Sequence, residues 1–369
     1  MDVVKPKRLV GLIHHLELGG AERMMLTILN DFSKQGFDVH LIIFHYSGEL
    51  KKELSSNVIV HDLGIASVMK GMPKCLKKIY HLNPDIVFTG IGHLNIAMAP
   101  FVSIMKRFLP QSKWISRETN IVSLQNATAK YPKLFDWLYL HTYNNYDLII
   151  AQSEDMKEDL EKNYGLMERV EVINNPIDVK RAQRLSEEKS DHYFDEQKIN
   201  LLTVAQLREE KRHDLMLETL ALLPIEYHLT IVGSGEKEES LKTLSTKLGI
   251  AERVSFEGQQ SNPYVYMKNA DLFLLTSERE GFPNVLLEAN AIGLPLVAFA
   301  CLGGIKEIIS EGENGYFVPF GETELLAKQI EALKNISFNK DAIMEQTAKK
   351  YAQSSIMGKY KKAFGLKSS

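Results

Sequence analysis

The chain has 369 residues, 44% hydrophobic and 25% charged, the mix of an ordinary globular protein of about two domains. A net charge of −3 gives no sign of a nucleic-acid binder, and two cysteines, Cys75 and Cys301, are too few for a disulfide scaffold or a cysteine-rich zinc site. No apolar run reaches the roughly 18 residues of a membrane span, so the expectation is a cytoplasmic enzyme.

In chain order, residues 8–14 read as a first strand rather than a signal peptide. Residues 21–34 have helical spacing, with Met25, Ile28, Leu29 and Phe32 on one face and Gly36 closing the helix. Residues 39–44, 58–61, 86–88, 113–115, 148–151 and 170–173 read as further strands separated by helical stretches. The pattern then restarts. Strands are expected at 200–204, 228–232, 254–256, 272–276 and 296–299. Helices are expected at 212–222, 237–248, 265–268, 285–292, 304–310 and 322–333. Strands alternating with helices predict an α/β protein: two Rossmann-like doubly wound domains. The polar stretch 181–198 reads as an exposed helix or linker between a domain at 1–180 and one at 199–350. Residues 351–369 are expected to form a helix crossing back to the first domain. The first 190 residues carry 24 basic and 22 acidic side chains, so the second half holds the net negative charge.

Three segments can carry chemistry. Leu18-Gly19-Gly20-Ala21-Glu22-Arg23 lies between the first strand and helix, where glycines and a helix start can admit an anion. A tight turn that needs glycine accounts for it equally. The segment from Gln206 to Arg212 follows an apolar strand and holds three cations, Arg208, Lys211 and Arg212, which suit a diphosphate. A solvated charged loop is the alternative. The third segment, Ser277-Glu278-Arg279-Glu280-Gly281-Phe282-Pro283-Asn284, leads into a helix that begins near Val285 and carries Glu288. Two carboxylates there can accept hydrogen bonds from sugar hydroxyls while the helix start holds a phosphate.

Together these segments resemble the group-1, or family 4, retaining glycosyltransferases of GT-B fold, in which two Rossmann-like domains face across a cleft. Glu280 and Glu288 match that family's pair of glutamates with seven residues between. The stretch from Val204 to Lys211 lies where the family has its glycine–arginine–leucine–lysine loop, with Gln206 at the arginine position. Gly303-Gly304-Ile305-Lys306-Glu307, Asn314-Gly315-Tyr316 and Asn175-Pro176-Ile177-Asp178 resemble further segments, in the right order.

The resemblance implies transfer of a sugar from a nucleotide-diphosphate donor, UDP favoured, with retention and without a metal or other cofactor. Lys211, helped by Arg208, would stabilise the leaving diphosphate with the amides of Gly19 and Gly20. Glu288 would hold the ribose, and Glu280 the donor sugar, with Gly281, Phe282, Pro283, Asn284 and Val285 beside it. Gln259 and Gln260 would lie near the base. His93, Arg117 and Glu118 follow strands of the first half, the acceptor side. A glycan or polyprenyl-diphosphate acceptor in cell-surface polysaccharide synthesis is expected. The basic stretch Lys70, Lys74, Lys77, Lys78, interleaved with Met72, Leu76 and Ile79, and the apolar segment 101–108 suggest contact with an anionic membrane. Two ordinary amphipathic helices on a sheet are the alternative. An epimerase or hydrolase of the same architecture, or an inactive nucleotide-sugar binder, is the rival function.

Overall fold

The computed structural model describes residues 6–17, 19–189 and 194–366. Leu18 of the glycine segment, part of the 181–198 stretch and the last three residues lie outside that description. The chain divides into two compact units. One runs up to Asn175 and takes in the residues from Ile356 onward; the other spans Pro176–Ser355.

The first unit is built from β1 (Arg8–Ile13), α1 (Gly20–Lys34), β2 (Asp38–Ile43), β3 (Ile59–Asp62), α2 (Val68–Leu82) and β4 (Ile86–Thr89). It continues through α3 (Gly92–Phe108), β5 (Lys113–Arg117), α4 (Val122–Ala127), α5 (Pro132–Thr142), β6 (Leu148–Ala151), α6 (Glu154–Tyr164) and β7 (Val170–Val172). The strands pair in parallel in the order β3-β2-β1-β4-β5-β6-β7. Near-continuous apolar runs such as Ile86-Val87-Phe88 and Leu148-Ile149-Ile150 suit such a sheet, because helices cover both faces. Met25, Ile28, Leu29 and Phe32 of α1 are all buried on it, as their spacing requires. The strand order reverses between β1 and β4, so the loops after these two strands open at the switch point where doubly wound sheets bind ligands.

The second unit holds α7 (Val179–Ser186), β8 (Ile199–Val204), α8 (His213–Leu222), β9 (Tyr227–Val232), α9 (Glu238–Lys247), β10 (Val254–Gly258) and α10 (Tyr264–Asn269). There follow β11 (Leu272–Leu275), α11 (Asn284–Ala291), β12 (Leu296–Ala300), α12 (Ile305–Ile308), β13 (Gly315–Pro319), α13 (Thr323–Leu333) and α14 (Lys340–Tyr351). Its parallel sheet has the order β10-β9-β8-β11-β12-β13, with the reversal between β8 and β11. The segments after these two strands are those that carry Lys211 and Glu280.

The last helix, α15 (Gln353–Ala363), adds its residues from Ile356 onward to the first unit. Tyr360 is fully buried there, and Phe364, just past the helix, stacks on Phe32 at 5.3 Å.

The division falls at Asn175 and Pro176, a few residues before the expected one. Residues 179–186, which overlap the stretch read as an exposed helix or linker, form α7 of the second unit. Its polar composition hides one apolar edge: Ala182 is buried and the helix packs on α10 and α11, while Lys180, Arg181 and Arg184 face outward or partly so. Two elements had no counterpart in the expectation. β13 begins with glycine and ends with proline, and it survives as an edge strand where proline costs no ladder bond. α14 shows little apolar periodicity and buries only Ile343, Thr347 and Tyr351.

Candidate active site

The second unit brings two of the sequence candidates into direct contact. Lys211 Nζ donates to Glu280 Oε1 at 2.6 Å, with both side chains mostly buried. β8 and β11 are neighbouring strands, so the loops that follow them run side by side. Three bonds stitch these loops together. Thr276 Oγ1 donates to the carbonyls of Lys211 and Arg212 at 3.1 and 3.0 Å, and the Glu278 amide donates to Glu210 O at 2.9 Å. Thr276, buried at the end of β11, was not singled out from sequence. A hydroxyl residue closing an apolar strand was the available signal.

The Glu280 loop is locked from its other side by the turn after β12. The Glu280 amide donates to Leu302 O at 3.2 Å. Gly303 has a φ of 119°, and a Cβ there would collide with the Glu280 carbonyl, so only glycine fits. Gly304 lies under the Phe282 ring, where a Cβ would also collide. Gly281, Phe282 and Pro283 are buried and act as the floor of the turn, and Phe282 packs on Tyr351 with ring centroids 5.8 Å apart. α11 begins directly after it at Asn284 and Val285, placing a positive helix end beside Glu280. Glu288, one turn later and half-buried, lies on the same helix face as Asn284.

The other cations of the Lys211 loop are directed elsewhere. Arg208 is exposed and lines a cavity of about 190 Å³ with Glu209, His213, Asp214, Lys237 and Ser240. Lys211 and Glu280 are not among its walls. Arg212 has a φ of 49°, an uncommon left-handed conformation for a residue with a side chain. Its guanidinium grips Asp214 at 2.8 Å and lies 5.8 Å from the Phe320 ring centre. Burial pushes the Asp214 carboxyl up, but the Arg212 bond and charge bring it below its ordinary value. His213 is buried, and burial followed by the nearby Lys211 charge pushes its pKa down to about 4. Gln206 and Gln260 are exposed, and Gln260 Nε2 donates to Glu257 O at 2.8 Å.

In the first unit, Gly19 caps α1 in an extended conformation, and Gly20 starts the helix. Glu22 folds back so closely that a Cβ on Gly19 would collide with its carboxylate. His93, at the start of α3, lies with its ring edge-on to His14 at 5.2 Å, and His14 in turn neighbours His15 at 4.8 Å. Partial burial and these two histidines push the His93 pKa down to about 4. His14 and His15 were not among the sequence candidates, although two adjacent histidines ending an apolar strand could have marked them.

Arg117 and Glu118 are brought into the interior, not onto a surface. Both are 1% exposed. Arg117 donates from Nε to Tyr360 OH at 3.0 Å and from Nη2 to Asn175 Oδ1 at 2.5 Å, tying β5 to the last helix. Glu118 accepts from Asn95 Nδ2 and Tyr143 OH, each at 2.8 Å, and from Tyr139 OH at 3.4 Å. Arg117 ends β5 and Glu118 is the first residue beyond it, and the two charges reach different partners. Among the described residues, no group of three or more His, Cys, Asp or Glu is arranged to hold a metal ion.

Comparison with known proteins decides what this geometry belongs to. Residues 186–351 match the family described as Glycosyl transferases group 1, and residues 18–181 match Glycosyltransferase Family 4. The chain belongs to the group 1 glycosyltransferases. In this glycosyltransferase, the Lys211–Glu280 pair and Glu288 all fall within the first of these matches. The chain is 27% identical over 320 residues to a Campylobacter jejuni protein, the N-acetylgalactosamine-N,N'-diacetylbacillosaminyl-diphospho-undecaprenol 4-alpha-N-acetylgalactosaminyltransferase, covering 83% of this chain and 84% of that one. It is 28% identical to the lipopolysaccharide core biosynthesis glycosyltransferase LpsE of Rhizobium meliloti, covering 85% of each chain. An uncharacterized glycosyltransferase of Methanocaldococcus jannaschii is 26% identical, and the match spans 66% of this chain and 62% of that one. Among solved structures, the Anabaena protein Alr3699/HepE in complex with UDP and glucose superposes with a TM-score of 0.79, at 19% identity, over 97% of this chain and 99% of that one. The glycosyltransferase fold is therefore GT-B, two doubly wound units.

Proposed function

We propose that the enzyme transfers a sugar, with retention at the anomeric carbon, from a UDP-sugar to a lipid-linked or glycan acceptor in envelope polysaccharide synthesis. The observation that carries this reading is the 2.6 Å pair of Lys211 and Glu280 at the sheet's switch point, beside the start of α11. Departure of a nucleoside diphosphate develops negative charge, and a fixed ammonium and a positive helix end are suited to meet it. Glu280, already holding Lys211, is placed to accept from donor-sugar hydroxyls and to keep the ammonium oriented. Glu288 is assigned to the ribose hydroxyls. With this charge supplied by side chain and backbone, the reaction proceeds without a bound metal. The leaving phosphate oxygen takes the acceptor's proton, so no nucleophile and base pair is required.

Two names support the substrates. The Anabaena neighbour is described with UDP and glucose, and the Campylobacter relative is named for a diphospho-undecaprenol acceptor. The Rhizobium relative's name supports an envelope polysaccharide role.

A thermal-shift screen of UDP-, GDP- and ADP-sugars tests the donor. A ligand at 100 times its dissociation constant adds roughly 2.7 kcal/mol of stability. Transfer to a polyprenyl-diphosphate-linked sugar, followed by NMR of the new anomeric centre, tests the reaction. An α-linked donor giving a β-linked product would refute retention. Turnover of the donor with no acceptor would point to an epimerase or hydrolase. Activity lost in EDTA and restored by manganese would refute the metal-free reading.

A further inference from the structure

The first unit's sheet forces α2, α3, α5 and α6 into one layer. From β3 through β7 every connection steps in the same direction across the sheet, and right-handed crossovers place their helices on the same face. α3 touches both α2 and α5, and Tyr80 of α2 meets Phe108 of α3 with rings 6.2 Å apart.

The outer side of this layer is both greasy and basic. Met69 and Tyr80 on α2, Ile104 and Phe108 on α3, and Leu134, Trp137 and Leu140 on α5 are 46 to 68% exposed. On α5 these three residues share a stripe with Lys133 and His141, while Tyr139 and Thr142 on the opposite side are buried. Trp137 stacks on His141 at 4.8 Å, and Lys130 lies 5.4 Å from the Tyr131 ring centre just before the helix. α2 and α3 contain no acidic residue at all, against Lys70, Lys74, Lys77, Lys78 and Arg107, while Lys106 is paired with Asp147 at 2.6 Å. The single acid of α5, Asp136, is held inward by Tyr164 OH at 2.8 Å and Asn126 Nδ2 at 2.9 Å. α6, next in the layer, carries five acids and ends the basic surface.

We propose that the outer face of α2, α3 and α5 docks on an anionic lipid bilayer, with Trp137, Leu134 and Leu140 entering the headgroup region. Exposed aromatic and aliphatic side chains ringed by lysines fit such an interface, where rings sit at headgroup level and cations meet anionic lipid. The same net basic charge on a second copy would repel it, which argues against self-association. The face differs from the one that sequence suggested on α2. Met72 and Ile79, interleaved with the lysines, are buried in the core, and Leu76 packs against it. The outward apolar contribution comes from Met69, Tyr80 and, above all, α5. A docking face of this kind deepens the lipid-linked acceptor reading, on which its purpose rests.

The chain has two tryptophans, and Trp114 is fully buried, so Trp137 reports on this face alone. Vesicles of phosphatidylcholine with phosphatidylglycerol, at low salt, should shift its emission to the blue and shield it from acrylamide. Pure phosphatidylcholine vesicles should do so far less. Replacing Lys130 and Lys133 with glutamate should raise the lipid needed by at least about tenfold. The melting temperature and the UDP-sugar thermal shift of that variant should stay unchanged. No shielding on anionic vesicles would overturn the proposal, as would shielding that grows with protein concentration in the absence of lipid. Donor binding is measured separately, so failure of the docking face and failure of the donor reading give different results.

Discussion

Replacing Glu118 with glutamine separates a structural carboxyl from one that touches acceptor. The side chain is 1% exposed and takes hydrogen bonds from Asn95, Tyr143 and Tyr139. Burial pushes its pKa up by more than those three bonds and the neighbouring Arg117 pull it down. Glutamine keeps the shape. Its carbonyl can accept from Asn95 and Tyr143, and its amide can donate toward Tyr139. Glu118→Gln should therefore change stability by no more than about 1 kcal/mol. In Glu118→Ala, Asn95 Nδ2 keeps its bond to Arg117 O, but Tyr143 and Tyr139 lose their acceptor at about 1–3 kcal/mol each and a cavity is added, so a loss of at least about 3 kcal/mol is expected.

The sign of the pH dependence follows from the raised pKa. Protonated Glu118 contributes stability that is fully present below the unfolded value, about 4.3, and is lost as pH rises through the folded value. Glutamine does not titrate. Urea melts at about pH 5, 6.5 and 8 should thus show wild type losing stability against Glu118→Gln as pH rises. A glutamine variant as unstable as the alanine one, or a difference of opposite sign, would refute this account. A glutamine variant that is stable yet inactive would instead place the carboxyl on the acceptor.

Lys211→Ala should lower kcat by about 10²–10³, since it removes one preorganised charge from the leaving group, and should lower the melting temperature without unfolding the protein, since Glu280 loses its partner. Glu288→Ala should weaken UDP binding about ten- to hundredfold in calorimetry, the worth of one charged hydrogen bond. Arg212→Gly and Arg212→Ala both lose the Asp214 grip, but only alanine keeps the left-handed strain. That strain is about 1–2 kcal/mol, and glycine's extra unfolded-state entropy takes back about 0.5–1, so the glycine variant should be the more stable by about 0.5–1 kcal/mol. Denaturant titration of the pair checks it. His93, with a pKa near 4, stays neutral through the usual assay range, so a pH–rate inflection between about 5.5 and 8 should survive His93→Asn. Its depressed pKa also means that wild type loses stability relative to that variant as pH falls from about 6.5 toward 4.

The layer order of the fold was legible because each strand is a short apolar run and each helix an amphipathic one. Leu148–Ala151 matches its expected bounds, and most other strands differ by one or two residues at an end. What escaped was written in weaker signals. α7 buries little beyond Ala182 and Ser186, so composition could not tell an exposed helix from a linker. α5 carries apolar residues on both sides, Leu134 and Trp137 outward and Tyr139 inward, so its outward stripe cannot be told from a core face by spacing alone.

The candidate site shows the same limit at the level of single side chains. Sequence placed Lys211 and Glu280 each after an apolar strand, and the structure makes those strands neighbours at the point where the doubly wound order reverses. Direction within a loop has no such signal. Arg208, Lys211 and Arg212 read alike as cations within five positions, yet Arg208 lines the α9 cavity, Arg212 turns through a positive φ to Asp214, and Lys211 alone reaches Glu280. Arg117 and Glu118 show it again, since at the end of β5 one charge goes to Tyr360 and the other to Tyr143. Gln206 stands where the family resemblance has arginine, so in the proposed reaction the charge on a departing diphosphate falls chiefly to Lys211 and the start of α11. Restoring that arginine should therefore raise donor affinity without altering kcat in the same proportion. An unchanged dissociation constant for UDP in Gln206→Arg would show that the side chain at this position does not face the phosphates.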